Sequence, residues 1–418
     1  MTVDVALPHG LRLVVERVAH VRTASAGLWF PAGSREDPPE GAGTAHLLEH
    51  LVFKGSGAQG ARALAEAMDA LGGQFNAFTG REQTCFHCRT LAGRLGDGLR
   101  LLAELVVAPR LDEGDLARER GVVLDELAMI ADDPAETADE LLGEALWGDH
   151  PLGRPQAGTV QSVRAVRAAD LAAFHGRHYV ARGAVLAVAG AVDPDRVVAG
   201  AEAAFSGLRP GAAAGPGAPA VPRAAGRRRH RRTAQAHLVL GAPAPSQADE
   251  DRWAAGLLAS VLGGSPSSRL FQAVREERGL CYDVGASYAE WSDAGEFVAF
   301  LSSAPRSIGA AAQVTVEEIR RLAADGVPAA ELERHRAQAL AGLWMAQEGT
   351  EARMMRLGRQ AVSGLPLLRP ADMASALRGV TARDLRTSAE RLGDPACWAA
   401  AFVGPAAAPG PWTWEEGA

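Results

Sequence analysis

Residues 44–55, TAHLLEHLVFKG, set two histidines and a glutamate into an otherwise apolar run. The run is free of Gly and Pro from Thr44 to Lys54 and lies between Gly43 and Gly55, which predicts a helix. His46 and His50 then stand four apart on one helical face, with Glu49 at its edge. Imidazoles and carboxylates taken out of water need partners. A lone buried histidine ordinarily finds one in a hydrogen bond. The pattern H-x-x-E-H asks for more, because two imidazole nitrogens at helical spacing suit a tetrahedral zinc ion and leave the carboxylate beside the metal. Such a site needs a third ligand.

The rest of the chain bounds the answer. At 418 residues it is too long for one ordinary core, so two or more domains are expected. A formal charge of -7 excludes a broadly basic, nucleic-acid-coating protein. Lys54 is the only lysine, which with the abundance of Ala and Gly reads as the coding bias of a GC-rich genome. The first residues, MTVDVALPHGLRLVVERV, lack the basic region and apolar stretch of a signal peptide. No uncharged apolar run of 18 residues suggests a membrane span, so a cytoplasmic location is expected. Cys85 and Cys88 form one C-x-x-C around His87; without a second pair it reads as a reduced strand, a redox or metal-sensing role being the rival.

Residues 208–233, rich in Pro, Gly and Ala and ending in the arginine run Arg227 to Arg232, read as a linker. The run could meet an acidic partner, but a solvated linker is the simpler reading. The flanking parts look alike. Residues 168–190 align with 382–404, pairing Asp170 with Asp384 and Gly190 with Gly404, and the segment from Asp115 aligns with that from Glu331. The offsets, 384 minus 170 and 331 minus 115, are 214 and 216, which indicates a duplicated domain. Domains are therefore expected over 1–207 and 234–418. Strand-like stretches (Leu11 to Val18, Thr23 to Phe30, Gln83 to Thr90, Ala184 to Ala189) and helix-like ones (Ala61 to Leu71, Leu95 to Ala108, Glu113 to Ala131) do not strictly alternate. That favours an α+β fold, each copy a mostly antiparallel or mixed sheet packed with helices.

The third ligand should come from a buried face. In the helix Glu113 to Ala131, Glu119, Val122, Val123, Glu126, Leu127 and Ile130 recur at helical spacing, so two carboxylates are expected to point inward, while Asp125 falls on the polar side. Each needs a cation or strong donors.

With these residues in place the sequence resembles the inverted-motif zinc peptidases of the pitrilysin and insulinase superfamily, in the short two-domain branch that includes the mitochondrial processing peptidase. Members carry H-x-x-E-H and, about 76 positions later, a glutamate within E-R-x-V-x-x-x-E; here 126 minus 50 is 76 and the segment reads ERGVVLDE. The likeness continues through LGGQFNAFTGREQT (71–84), HPLGRPQAGT (150–159) and SSRLFQAVREERGLCY (267–282). It implies His46, His50 and Glu126 as ligands of Zn2+ and Glu49 as general acid and base. Glu119, two helical turns before Glu126 on the same face, reads either as orienting a histidine or as one half of a core ion pair. It also implies a substrate strand added along Asn76 and Ala77, and Arg275 and Tyr282 reaching the substrate carbonyl as oxyanion donors. Gly279 predicts a helix-to-strand turn between those last two. The second copy offers no counterparts to the ligands: Ala255, Leu258 and Ala259 fall opposite His46, Glu49 and His50, and Gly342 opposite Glu126.

The resemblance thus implies an endopeptidase cleaving unfolded peptides or a precursor or leader peptide inside a closed chamber. Because one chain carries both the zinc motif and the Arg/Tyr pair, a clamshell homodimer is the simplest assembly, a heterodimer with a related subunit the alternative. No nucleic acid or membrane partner is expected. The principal rival is a non-catalytic structural or regulatory subunit of the same fold, which the presence of all three ligands and the base disfavours.

Overall fold

The computed structural model describes residues 2–57, 59–211 and 217–417. Strands β1 (Thr2–Ala6), β2 (Arg12–Arg17) and β3 (Thr23–Phe30) lead to helix α1 (Thr44–Val52). A two-residue ladder, β4 (Gly55–Ser56) with β5 (Gln59–Gly60), then precedes α2 (Ala61–Leu71), β6 (Gln74–Thr79) and β7 (Thr84–Leu91). Helices α3 (Leu95–Val107), α4 (Glu113–Asp132) and α5 (Pro134–Trp147) follow, and β8 (Val185–Gly190) completes a six-stranded sheet of order β1-β2-β8-β3-β7-β6. Pairing is antiparallel except between β2 and β8.

The second sheet repeats the plan. Strands β9 (Gly226–His230), β10 (Ala236–Ala244), β11 (Asp283–Glu290), β12 (Gly295–Ser303), β13 (Ala399–Gly404) and β14 (Trp414–Glu416) take the order β11-β12-β10-β13-β9-β14. Matching β6-β7-β3-β8-β2 to β11-β12-β10-β13-β9 reproduces every direction, including the single parallel pair. The duplication read from the aligned segments reaches down to caps: Asp170 accepts from the Arg167 amide at 2.9 Å and Asp384 from the Thr381 amide at 2.8 Å, each closing the first turn of its helix. The fold is α+β.

The chain does not divide at one point. Met1–Leu127, Gln156–Gly217 and Trp344–Leu368 form one compact unit, and Ala128–Pro155, Ala218–Leu343 and Arg369–Ala418 the other. Helix Thr350–Val362, from the second half, buries Met354, Leu357 and Ala361 against Val14, Trp29, Val185 and Ala187 of the first sheet. There Glu16 receives the guanidinium groups of both Arg353 and Arg356. Helix α5, from the first half, reciprocally buries Leu141, Leu142 and Trp147 against Val239, Val298 and Val403 of the second sheet. Each sheet thus covers one face with a helix from the other repeat. Strand periodicity shows that a face is apolar and not which helix covers it, so sequence alone leaves this exchange unread.

The expected linker also differs from what is found. Gly226–His230 pairs in parallel with both β13 and β14. Two arginines of this strand and one just past it are taken up within the unit: Arg227 by Glu144 at 2.7 Å, Arg228 by Glu416 at 2.9 Å, and Arg231 by Asp132 at 3.2 Å. Three arginines of the run that reads as solvated are thereby paired with carboxylates, two of them on a strand.

Candidate metal centre

Helix α1 is fixed at its start. Gly43 has φ +91°, and a Cβ there would sit 2.5 Å from the Ala157 carbonyl oxygen, so glycine is required on both counts. Asp37 accepts from the Gly43 and Ala45 amides at 2.7 and 2.9 Å, satisfying donors that the first turn leaves free. Leu47, Leu48, Leu51 and Val52 enter the core and orient the helix about its axis. His46, Glu49 and His50 are consequently left on the half-buried side.

His46, His50 and Glu126 each offer a ligand atom within 4.8 Å of the others, and they are the one such group among the described residues. Glu126 Oε2 lies 3.8 Å from His46 Nε2 and 3.7 Å from His50 Nε2. Those distances are too long for hydrogen bonds but within what two zinc bonds of about 2.0–2.2 Å span. Burial, and then the neighbouring His50, push the His46 imidazole down to about 4, leaving it neutral at pH 7 and able to coordinate. The donor set and its spacing fit a zinc ion.

Glu49 turns aside from this group. Its Oε2 accepts from Thr79 Oγ1 at 2.5 Å. Burial raises its carboxyl above the ordinary range, and the Thr79 hydrogen bond opposes that rise. Glu119 is buried one hydrogen bond away: its Oε2 meets His50 Nδ1 at 3.3 Å, and its Oε1 meets Lys54 Nζ at 2.9 Å. Glu126 differs from the inward-pointing expectation, with its side chain 40% exposed against 8% for Glu119. Val122 likewise is exposed. The stripe faces the core at Glu119, Val123 and Leu127, and Glu126 stands where it opens to solvent.

Asn76 and Ala77 lie on β6, the edge of the first sheet, opposite His87 and Phe86 of β7. The Asn76 side-chain oxygen accepts from the Ala77 amide at 2.9 Å. Thr79 ends this strand, so one strand carries both the open edge and the hydroxyl that holds Glu49. Gln156 Nε2 donates to the Thr79 carbonyl, tying HPLGRPQAGT to the same point. Thr79 and Lys54 belong to the site although no motif singles them out. The signals that could find them are strand alternation, which puts Thr79 on the face of Ala77, and the i, i+4 spacing of His50 and Lys54.

Arg275 and Tyr282 meet in the second unit. The Arg275 guanidinium stacks 5.0 Å from the Tyr282 ring and 4.7 Å from that of Phe271, across a turn in which Gly279 takes φ +58°. Tyr282 is 72% exposed. Ala255, Leu258 and Ala259, in the positions of the first repeat's metal motif, are buried apolar residues. Cys85 and Cys88 cannot form a common site: on β7 they face opposite sides of the sheet, Cys85 beside Trp29 and Met354 and Cys88 in the other core. Burial pushes the Cys88 thiol up to about 12.

A duplicated α+β chain with a His, His, Glu cluster in one repeat, and an unligated carboxylate beside it, has the make-up of a metallopeptidase. Comparison with known proteins agrees. Residues 12–160 match the family model "Insulinase (Peptidase family M16)" and residues 165–339 match "Peptidase M16 inactive domain". A Streptomyces coelicolor protein named an uncharacterized zinc protease is 38% identical over 92% of this chain and 85% of its own length. One so named from Bacillus subtilis is 33% identical over 84% and 86%. Two solved structures share the fold: a peptidase M16 inactive domain from Pseudomonas fluorescens (TM-score 0.91, 23% identity, 99% of this chain and 100% of that one) and a Helicobacter pylori protease (0.90, 21%, 96% and 99%). The chain belongs to peptidase family M16. No helix among its described residues is long and apolar enough to cross a membrane.

Proposed function

We propose that this protein is a zinc-dependent endopeptidase of the H-x-x-E-H type, acting on unfolded peptides or a precursor or leader peptide, in the cytoplasm and as a homodimer. The observation that carries the reading is the convergence of His46, His50 and Glu126 within 4.8 Å, with Glu49 beside them and held by Thr79. Zinc bound by His46, His50 and Glu126 would supply Lewis-acid polarisation of a scissile carbonyl and activation of water. Glu49, partly desolvated and free of the cluster, takes a proton from the attacking water and returns it to the leaving amine. Glu119 fixes the orientation of His50 through Nδ1. The edge of β6 at Asn76 and Ala77 receives the peptide backbone as an added strand, which gives affinity without demanding particular side chains. Arg275 and Tyr282, stacked and solvent-facing, donate to the developing oxyanion.

The test is hydrolysis of a quenched-fluorescent unstructured peptide by the full chain. Turnover should vanish on chelation and return with zinc. Glu49→Gln should keep the metal and lose turnover by about a hundredfold or more. Glu49→Gln turning over like wild type would contradict the assignment, and loss of zinc in that variant would make Glu49 a ligand.

A further inference from the structure

The chain has 43 basic side chains other than histidine, and Lys54 is the one lysine among them. A sequence so committed to arginine keeps an ammonium at one position, four residues after His50 in the turn that ends α1. Its Nζ lies 2.9 Å from Glu119 Oε1, while the other oxygen of that carboxylate lies 3.3 Å from His50 Nδ1. The two oxygens are divided between a cation and a metal-site imidazole. Glu119 is buried, and among the described residues Lys54 is the one Lys or Arg paired with it.

The lysine backbone is also held. The Lys54 amide donates to Leu51 O at 3.0 Å. Its carbonyl accepts from Arg110 Nη2 at 3.3 Å, and the same nitrogen donates to Asp115 Oδ2 of α4 at 2.7 Å. Lys54 therefore joins the end of the motif helix to the helix that carries Glu119 and Glu126, by main chain and side chain together. An ammonium suits the place because it is a compact charge that can address one carboxylate oxygen, whereas a guanidinium brings a planar five-donor fork needing further acceptors.

We propose that Lys54 is a positioning residue for the metal site: by pairing with Glu119 it sets the carboxylate that orients His50, and so governs how firmly the metal is retained. This rests on the zinc reading above, and zinc retention rather than turnover tests it. Full-length protein loaded with zinc is challenged with a chromogenic chelator. Lys54→Met should release zinc on the order of tenfold to a hundredfold more readily than wild type, as Glu119→Gln should. Because Lys54 acts through Glu119, the double variant should release zinc no more readily than Glu119→Gln alone. Cobalt-loaded Lys54→Met should show visible bands displaced from wild type toward those of Glu119→Gln, a change that a purely structural lysine would not produce.

Should Lys54→Met fail to fold, Glu119→Gln and the double variant, neither of which buries an unpaired carboxylate, decide the matter. Equal zinc release from the two supports the role, and further release from the double overturns it. Wild-type retention in Lys54→Met overturns it alone, whereas a wild-type chain that binds no zinc overturns the metal reading as well.

Discussion

Replacing Gly358 by Ala puts the exchanged helix to a test whose sign is diagnostic. Gly358 lies mid-way along helix Thr350–Val362, where Gly→Ala ordinarily stabilises by about 0.8–1.0 kcal/mol through helix propensity. Here a Cβ would sit 2.0 Å from Trp29 Nε1 and 2.2 Å from Trp29 Cε2. Trp29 is fully buried and packs edge-to-face on Phe78 of β6 at 5.4 Å, so the ring cannot swing clear without moving the candidate substrate edge. Overpacking a core costs typically about 1–3 kcal/mol, and a rigid indole in contact on its other side puts this case at the upper end. Net of propensity, Gly358→Ala should destabilise the first unit by roughly 2 kcal/mol, a fall in melting temperature of about 4–8 °C for a unit of this size. Calorimetry or urea melts of the full chain would read it. In a Trp29→Leu background, which vacates the ring's volume, the penalty should shrink. An unchanged or raised melting temperature in Gly358→Ala would refute the packing of this helix on the first sheet.

Tyr282→Phe should retain zinc and lower peptide turnover by on the order of a hundredfold, because an oxyanion donor acts mainly in the transition state. If chains cooperate as a homodimer, mixing Tyr282→Phe with Glu49→Gln should restore part of the activity; no recovery despite verified subunit exchange would count against that assembly. His46 has a folded-state value of about 4, below the ordinary imidazole range near 6.5. Its contribution to the stability of metal-free protein is therefore complete above pH 6.5 and is lost as pH falls toward 4, by up to about 3 kcal/mol. Urea melts across that window should give a shallower pH dependence in His46→Gln, and an identical dependence would remove His46 as its source. Thiol titration of folded protein should find Cys397 reactive and Cys85 and Cys88 silent, since only Cys397 is exposed; rapid reaction of the strand pair would reopen a redox role.

Much of the fold and of the site is legible in the sequence, and for nameable reasons. The helix of the candidate metal site can be read because glycines bound it and because imidazoles at i and i+4 in an apolar run are costly to bury unless they share a partner. Thr23–Phe30 and Ala61–Leu71 form with the expected bounds, being strongly patterned and closed by turn signals. Glu126 can be placed on its helix but not in its environment, since whether a stripe position meets core or solvent depends on neighbours far along the chain. The same limit hides the exchanged helices and the strand in which the arginine run begins: Glu144, Asp132 and Glu416, which pair with three of its arginines, lie between 83 and 188 residues away. Thr79 escapes notice because a threonine near a strand end has no distinctive spacing. Its part shows only once β6 is seen beside α1.

The central claim is that His46, His50 and Glu126 hold one zinc ion per chain, and metal analysis of the purified protein tests it most directly. Wild type should carry close to one equivalent of zinc, falling sharply in His50→Ala while the far-ultraviolet dichroism of the fold is retained. Full zinc occupancy in a folded His50→Ala chain, or none in the wild type after incubation with zinc, would contradict it.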